Sequence, residues 1–158
     1  MTENTQLVVF SLDDRQYALN LTCVERIVRA VEVTHLPDVP ETILGVINVE
    51  GEVIPVVNTR KRLGLPEREI ELQDLFIILQ HNGQRLALLG DEVMPVLEVP
   101  AEQVVDSDRV LPGSGNVQGV AKLDEGMVIV LTVEQMLSFE QRARLYAAIG
   151  VLGEGVHG

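Results

Sequence analysis

The residues of this chain that could carry chemistry are three histidines, one cysteine and a few acidic pairs. An imidazole needs a second ligand or a base at suitable spacing to bind metal or move protons. His35 stands beside Leu36 and Pro37, His81 opens an Asn-Gly turn, and His157 lies in the final residues. None has a neighbour at metal-ligand spacing. Cys23 is followed by Val24 with no flanking base, the setting of a structural thiol. Asp106-Ser107-Asp108 begins like a calcium loop but lacks the central glycine and terminal glutamate. Gly113-Ser114-Gly115 leads into Asn116 without the lysine of a phosphate-binding loop. Asp13-Asp14, Asp91-Glu92 and Asp124-Glu125 all fall where turns are expected and read as solvated turn residues. The pattern points to no enzyme, no cofactor and no metal site.

Composition narrows the classes further. Hydrophobic residues make up 46% of 158, enough for a real core, but aromatics only 3% with no Trp, so that core must be aliphatic. Valine and isoleucine at this density favour strands. The net charge of −12 repels phosphate, which excludes nucleic acid and disfavours direct insertion into an anionic membrane. The short run Arg60-Lys61-Arg62 reads as a solvated helix face. One cysteine cannot form an internal disulfide, which suits a cytoplasmic location. No apolar run approaches the roughly 20 residues that cross a bilayer, so any membrane association would come through a partner. The short polar tail after Ile149 reads as the end of a complete, stand-alone chain.

The elements that must position these residues are mostly strands. Alternation and turn signals predict strands over residues 6–12, 16–21, 75–80, 84–89, 92–99, 119–123 and 127–131. Residues 22–28 fit either a helical turn or a strand. Residues 43–57 form the clearest hairpin, reversing near Gly51, which suits a positive φ. Pro55 lies inside its return strand and calls for an unpaired edge or a bulge. Asn58-Thr59 caps a short helix over 60–63, ended by Gly64. Residues 101–119 read as irregular, 133–149 as helical after a Thr132/Gln135 capping box, and 150–158 as a loose tail.

Two halves of the chain resemble each other. Gln16-Tyr-Ala-Leu19 matches Arg85-Leu-Ala-Leu88, and Val24 and Val93 follow at the same distance. Gly45-Val-Ile-Asn-Val-Glu-Gly51 matches Gly119-Val-Ala-Lys-Leu-Asp-Glu-Gly126, each followed by an apolar strand and a helix start. The repeat predicts two small β-barrels side by side, with a groove between them as a natural partner site.

The hairpin Gly45 to Val57 followed by Arg60-Lys-Arg-Leu-Gly64, with residues 10–19, 119–124 and 128–137 in order, resembles CheW-type chemotaxis coupling proteins. The resemblance covers roughly residues 6–140. It implies a mainly β fold of two five-stranded SH3-like barrels, with short helices and a C-terminal helix. The expected organisation is one domain over 6–140, a first barrel near 13–74 and a second near 75–132, with strands free to cross between them. It implies a non-enzymatic cytoplasmic adaptor, recruited to membrane-associated receptor arrays. The implied partners are the chemoreceptor cytoplasmic tip and the regulatory domain of the histidine kinase CheA. Carried over by position, Val24, Arg26, Ile27, Asn48, Glu50 and Gly51 face the receptor, and Val33 and Val53 face the kinase. Each aliphatic among them could equally be an ordinary core or edge residue.

One departure stands out. The family usually has arginine where this chain has Glu50, and a guanidinium fork there would hold an acceptor on the receptor. Glu50 reverses that charge and implies a receptor or kinase with a compensating basic residue. Thr59 and Thr132 replace the common Leu and Asp. A different class of reading is a small-molecule-binding or regulatory barrel subunit, which an enclosed pocket with convergent polar groups would favour. A domain cut from a longer protein, such as CheA or an adaptor fused to a receiver, is a third.

Overall fold

The computed structural model describes residues 4–81, 83–106, 119–123 and 126–131. Its strands are β1 (Asn4–Leu12), β2 (Arg15–Asn20), β3 (Val24–Arg29), β4 (Ile43–Val49), β5 (Glu52–Val57), β6 (Leu75–His81), β7 (Gln84–Gly90), β8 (Glu92–Val93), β9 (Leu97–Pro100), β10 (Val104–Asp106), β11 (Gly119–Leu123) and β12 (Gly126–Leu131). A short helix, α1 (Thr59–Arg62), follows β5, and 3-10 turns form at Leu21–Cys23 and Ala101–Gln103. The ambiguous segment after β2 is thus both alternatives in succession, a helical turn and then a strand. Residues 92–99, expected as one strand, are two short ones. The expected helix over 133–149, the tail after it and the Pro112 to Asn116 loop lie outside the described residues.

Two sheets lie side by side. One runs β3-β6-β7-β5-β4; the other runs β10-β11-β12-β2-β1-β8, with β9 also on β1. The repeat is present in register. Val93 opposes Phe10 as Val24 opposes Leu79, Val130 runs parallel to Ala18 as Val56 does to Ala87, and Gly119 faces Val130 as Gly45 faces Val56. The halves are not separate, however. The hairpin β1–β2 completes the sheet built by β8–β12, and the hairpin β6–β7 completes the sheet built by β3–β5. Each sheet therefore draws strands from both sides of residue 75.

Each sheet curls until its ends meet. Beyond β3, Thr34 donates to the Val46 carbonyl and accepts the Val46 N–H, at 2.8 and 2.9 Å. In the larger sheet, β9 passes through Ala101–Gln103 directly into β10 at the opposite end. The result is the expected pair of SH3-like subdomains, bridged at their ends rather than hydrogen-bonded all the way round. Close approach at the first closure demands glycine. A Cβ at Gly45, where φ is 154°, would stand 2.2 Å from the Thr34 carbonyl oxygen. Pro55 faces Val46 in an inner strand rather than an edge; the ladder from β5 to β7 is reduced to Val56↔Ala87, which accommodates the missing donor.

The exchanged hairpins are buried on both faces. Leu7, Val9 and Ala18 point into one barrel with Val128 and Val130, and Phe76, Ile78 and Ala87 point into the other with Ile47 and Ile54. The alternate residues Phe10, Leu12, Tyr17, Leu19, Ile77, Leu79 and Leu88 meet between the sheets. Double-sided burial explains why β1, β6 and β7 carry apolar residues at successive positions and not only at alternate ones. Each buried Val, Leu, Ile or Phe among them contributes roughly 1.5–3 kcal/mol on leaving water. Where the repeat suggested an open groove, these residues form a filled seam, with the Phe10 and Tyr17 rings 5.9 Å apart.

Candidate partner-binding surface

Two groups of charged side chains organise the surface, and one of them is structural. Arg60 leaves α1 for the interior and is 2% exposed. It donates to Asp13 at 2.9 Å and to both oxygens of Asp91 at 2.9 and 3.0 Å. Arg68 bridges the same Asp91 to Asp74, which is fully buried. Asp13 lies in the β1–β2 turn of one barrel, Arg60 follows β5 of the other, and Asp91 lies between β7 and β8 where the chain passes from sheet to sheet. Burial alone would push the Asp91 carboxyl up, but the Asp13 N–H and the two guanidinium groups hold it below its ordinary value. Arg60, Asp13 and Asp91 were expected to be solvated. They are a clamp between the barrels, because the exchanged hairpins bring distant turns together.

The second group surrounds the β4–β5 turn. Val49 pairs with Glu52, leaving Glu50-Gly51 as a two-residue loop. Both have positive φ, 51° and 85°, as a type I′ turn requires. Asn48 Oδ1 accepts the Gly51 N–H at 2.8 Å and holds the reversal. Across from it, β3 shifts register between Val24 and Arg26, a bulge that brings Glu25 and Arg26 out side by side. Arg26 then meets both carboxylate oxygens of Glu50 through its two terminal guanidinium nitrogens, at 3.1 and 3.2 Å. Arg85, at the start of β7, donates to Glu25 at 2.8 Å and also to Glu52. Hydrogen bonding to Arg85 holds the Glu25 carboxyl below its ordinary value. Glu25, Arg26, Glu50, Gly51, Glu52 and Arg85 line an open cleft of about 470 Å³.

The residues singled out from sequence thus divide. Arg26, Glu50 and Gly51 converge on this cleft, and Asn48 shapes its turn. Ile27 and Val53 are exposed aliphatics on β3 and β5, whereas Val24 and Val33 are partly buried against the cores. Val33 lines a different depression, of about 380 Å³, with Ala30, Val31, Glu32, Ile70, Glu71 and Leu72. Leu72 is 87% exposed there. Glu25, Glu52, Arg85 and Leu72 were not found from the sequence. The only available signal for the first three was a register shift and strand pairing that local pattern does not encode. Cys23, partly buried, donates its thiol to the Asn20 carbonyl, and burial pushes its pKa up. Among the described residues no group of three or more His, Cys, Asp or Glu side chains is placed to hold a metal ion.

The CheW-like domain model matches residues 6–141. The chain belongs to the CheW-like family. The chemotaxis protein CheW of Treponema pallidum is 30% identical over 149 residues, spanning 90% of this chain and 88% of that protein. CheW of Bacillus subtilis is 34% identical over 99 residues, 63% of this chain and 64% of that protein. The crystal structure of the scaffolding protein TtCheW from Thermoanaerobacter tengcongensis superposes with a TM-score of 0.79 at 30% identity, covering 88% of this chain and 96% of that one. The family is one of chemotaxis coupling scaffolds, not enzymes.

Proposed function

We propose that this chain joins chemotaxis receptors to the histidine kinase CheA, holding both in one signalling array. The observation that carries this reading is the presence of two different faces on one small barrel. The charged cleft at Arg26 and Glu50 is polar and open. The depression at Val33 is mostly aliphatic, with Val31 and Leu72 exposed beside it. An adaptor needs two such surfaces, unlike in chemistry, so that two partners do not compete. We assign the receptor tip to the first face, with Val24, Arg26, Ile27, Asn48, Glu50 and Gly51. The CheA regulatory domain takes the aliphatic surface, with Val33, Val53, Val31 and Leu72. Residues 6–140 act as one unit, since the barrels share strands. No helix among the described residues is long and apolar enough to cross a membrane, and receptors would supply the attachment to a membrane-associated array.

The test is reconstitution from the native host's proteins. The full chain, the host's CheA and a receptor cytoplasmic fragment should form a ternary complex by size-exclusion chromatography. Kinase autophosphorylation should become receptor-dependent only when the chain is present. Binding to neither protein, or receptor control without the chain, overturns the proposal.

A further inference from the structure

Among the charges lining the cleft, two of the three carboxylates, Glu50 and Glu52, stand outward of the guanidiniums they pair with, while Glu25 lies as deep as Arg85. Glu50 is 77% exposed and Arg26 39%; Glu52 is 51% exposed and Arg85 30%. Glu25, Glu50 and Glu52 against Arg26 and Arg85 leave one negative charge in excess. Arg85 is already shared between Glu25 and Glu52, and Arg26 is engaged at both ends of its fork. The compensating basic group that Glu50 called for is therefore present in the chain itself, but it does not cover the carboxylate. An aliphatic side chain assigned to the same face, Ile27, is exposed next to Arg26 on β3.

We infer that Arg26 is a positioning residue that aims Glu50 outward, and that Glu50 with Glu52 selects a partner segment carrying a lysine or arginine beside an aliphatic side chain. This deepens the coupling reading and rests on it. An exposed ion pair is weak enough to be shared with an incoming cation, yet its two contacts fix the rotamer before the partner arrives. The turn adds rigidity, since a glutamate with positive φ has little backbone freedom. A relative with arginine at the turn would present the opposite charge, so the two would take different partners by mutual repulsion.

The experiment is a charge-exchange series on the full chain against the host receptor's cytoplasmic fragment. Each lysine and arginine of the fragment's tip is changed singly to glutamate. Glu50→Arg should weaken binding by about tenfold or more, and one tip substitution should restore it. The double variant Arg26→Glu with Glu50→Arg keeps an internal pair and should melt like the wild type, yet bind as poorly as Glu50→Arg. Wild-type binding should also fall steeply with added salt. If Glu50→Arg and the double variant both bind the tip as tightly as the wild type does, the selection inference is overturned and coupling stands. If the wild type binds no tip, the coupling reading falls and this inference with it.

Discussion

Arg26 and Glu50 come from opposite ends of one five-stranded sheet, yet their side chains meet in a two-contact ion pair at 3.1 and 3.2 Å. Only a sheet curled into a barrel can bring β3 to the β4–β5 turn. The pair thus marks one end of the closure and the Thr34–Val46 bridge another.

The turn separates stability from recognition. Glu50→Gly removes a side chain from a backbone with positive φ and gives up an exposed pair worth less than about 1 kcal/mol. The variant should melt at or slightly above the wild-type temperature by circular dichroism while binding the receptor fragment more weakly. A clear loss of stability would mean that the pair holds the barrel shut.

Gly45 and Gly51 should respond unequally to the same substitution. At Gly51 an added Cβ meets open space, and Gly51→Ala bears only the backbone strain of about 1–2 kcal/mol. At Gly45 the added carbon collides with the Thr34 carbonyl, so Gly45→Ala should lose about 2–4 kcal/mol in urea unfolding.

The clamp between the barrels should be the most sensitive polar feature. Arg60→Ala removes a buried guanidinium from Asp13, which is half exposed, and from Asp91, which keeps Arg68, and should cost about 2 kcal/mol. Arg60→Lys should rescue little, since an ammonium cannot span both carboxylates as the fork does. Urea titrations with an unchanged slope would confirm that stability alone has moved.

The same clamp predicts acid sensitivity. Asp91 titrates below its ordinary value of 3.8 in the folded chain, so its contribution is fully present above that value. It is lost as pH falls toward and through the lower folded value. The melting temperature should drop on acidification below about pH 4, and Asp91→Asn should flatten that drop while lowering stability at neutral pH.

Leu72 tests the aliphatic face. At 87% exposure its replacement removes almost no buried area, so Leu72→Glu should change stability by less than about 0.5 kcal/mol. It should nevertheless weaken CheA binding measured by calorimetry. Unchanged affinity would place the kinase elsewhere.

Much of this molecule was legible along the chain. Strand positions followed from apolar runs, the Glu50-Gly51 reversal from turn chemistry, and the Asn58 cap of α1 from its side-chain acceptor, which takes the Lys61 N–H at 3.2 Å. The repeat between Gln16–Leu19 and Arg85–Leu88 was visible because equivalent strands need equivalent faces. The resemblance to the CheW-like family was likewise carried by ordered residues.

Tertiary structure alone decided which partners those residues meet. The repeat did not reveal that each half lends its first hairpin to the other, since a swapped strand and an unswapped one need the same apolar faces. Arg60 looked solvated because three basic residues in a row carry no mark of which one turns inward. Arg26, Glu50 and Arg85 lie 24 to 59 residues apart in pairs, and no local period links them. Their meeting depends on a bulge in β3 and on closure of the barrel, and both arise from long-range strand pairing and the packing of the whole sheet.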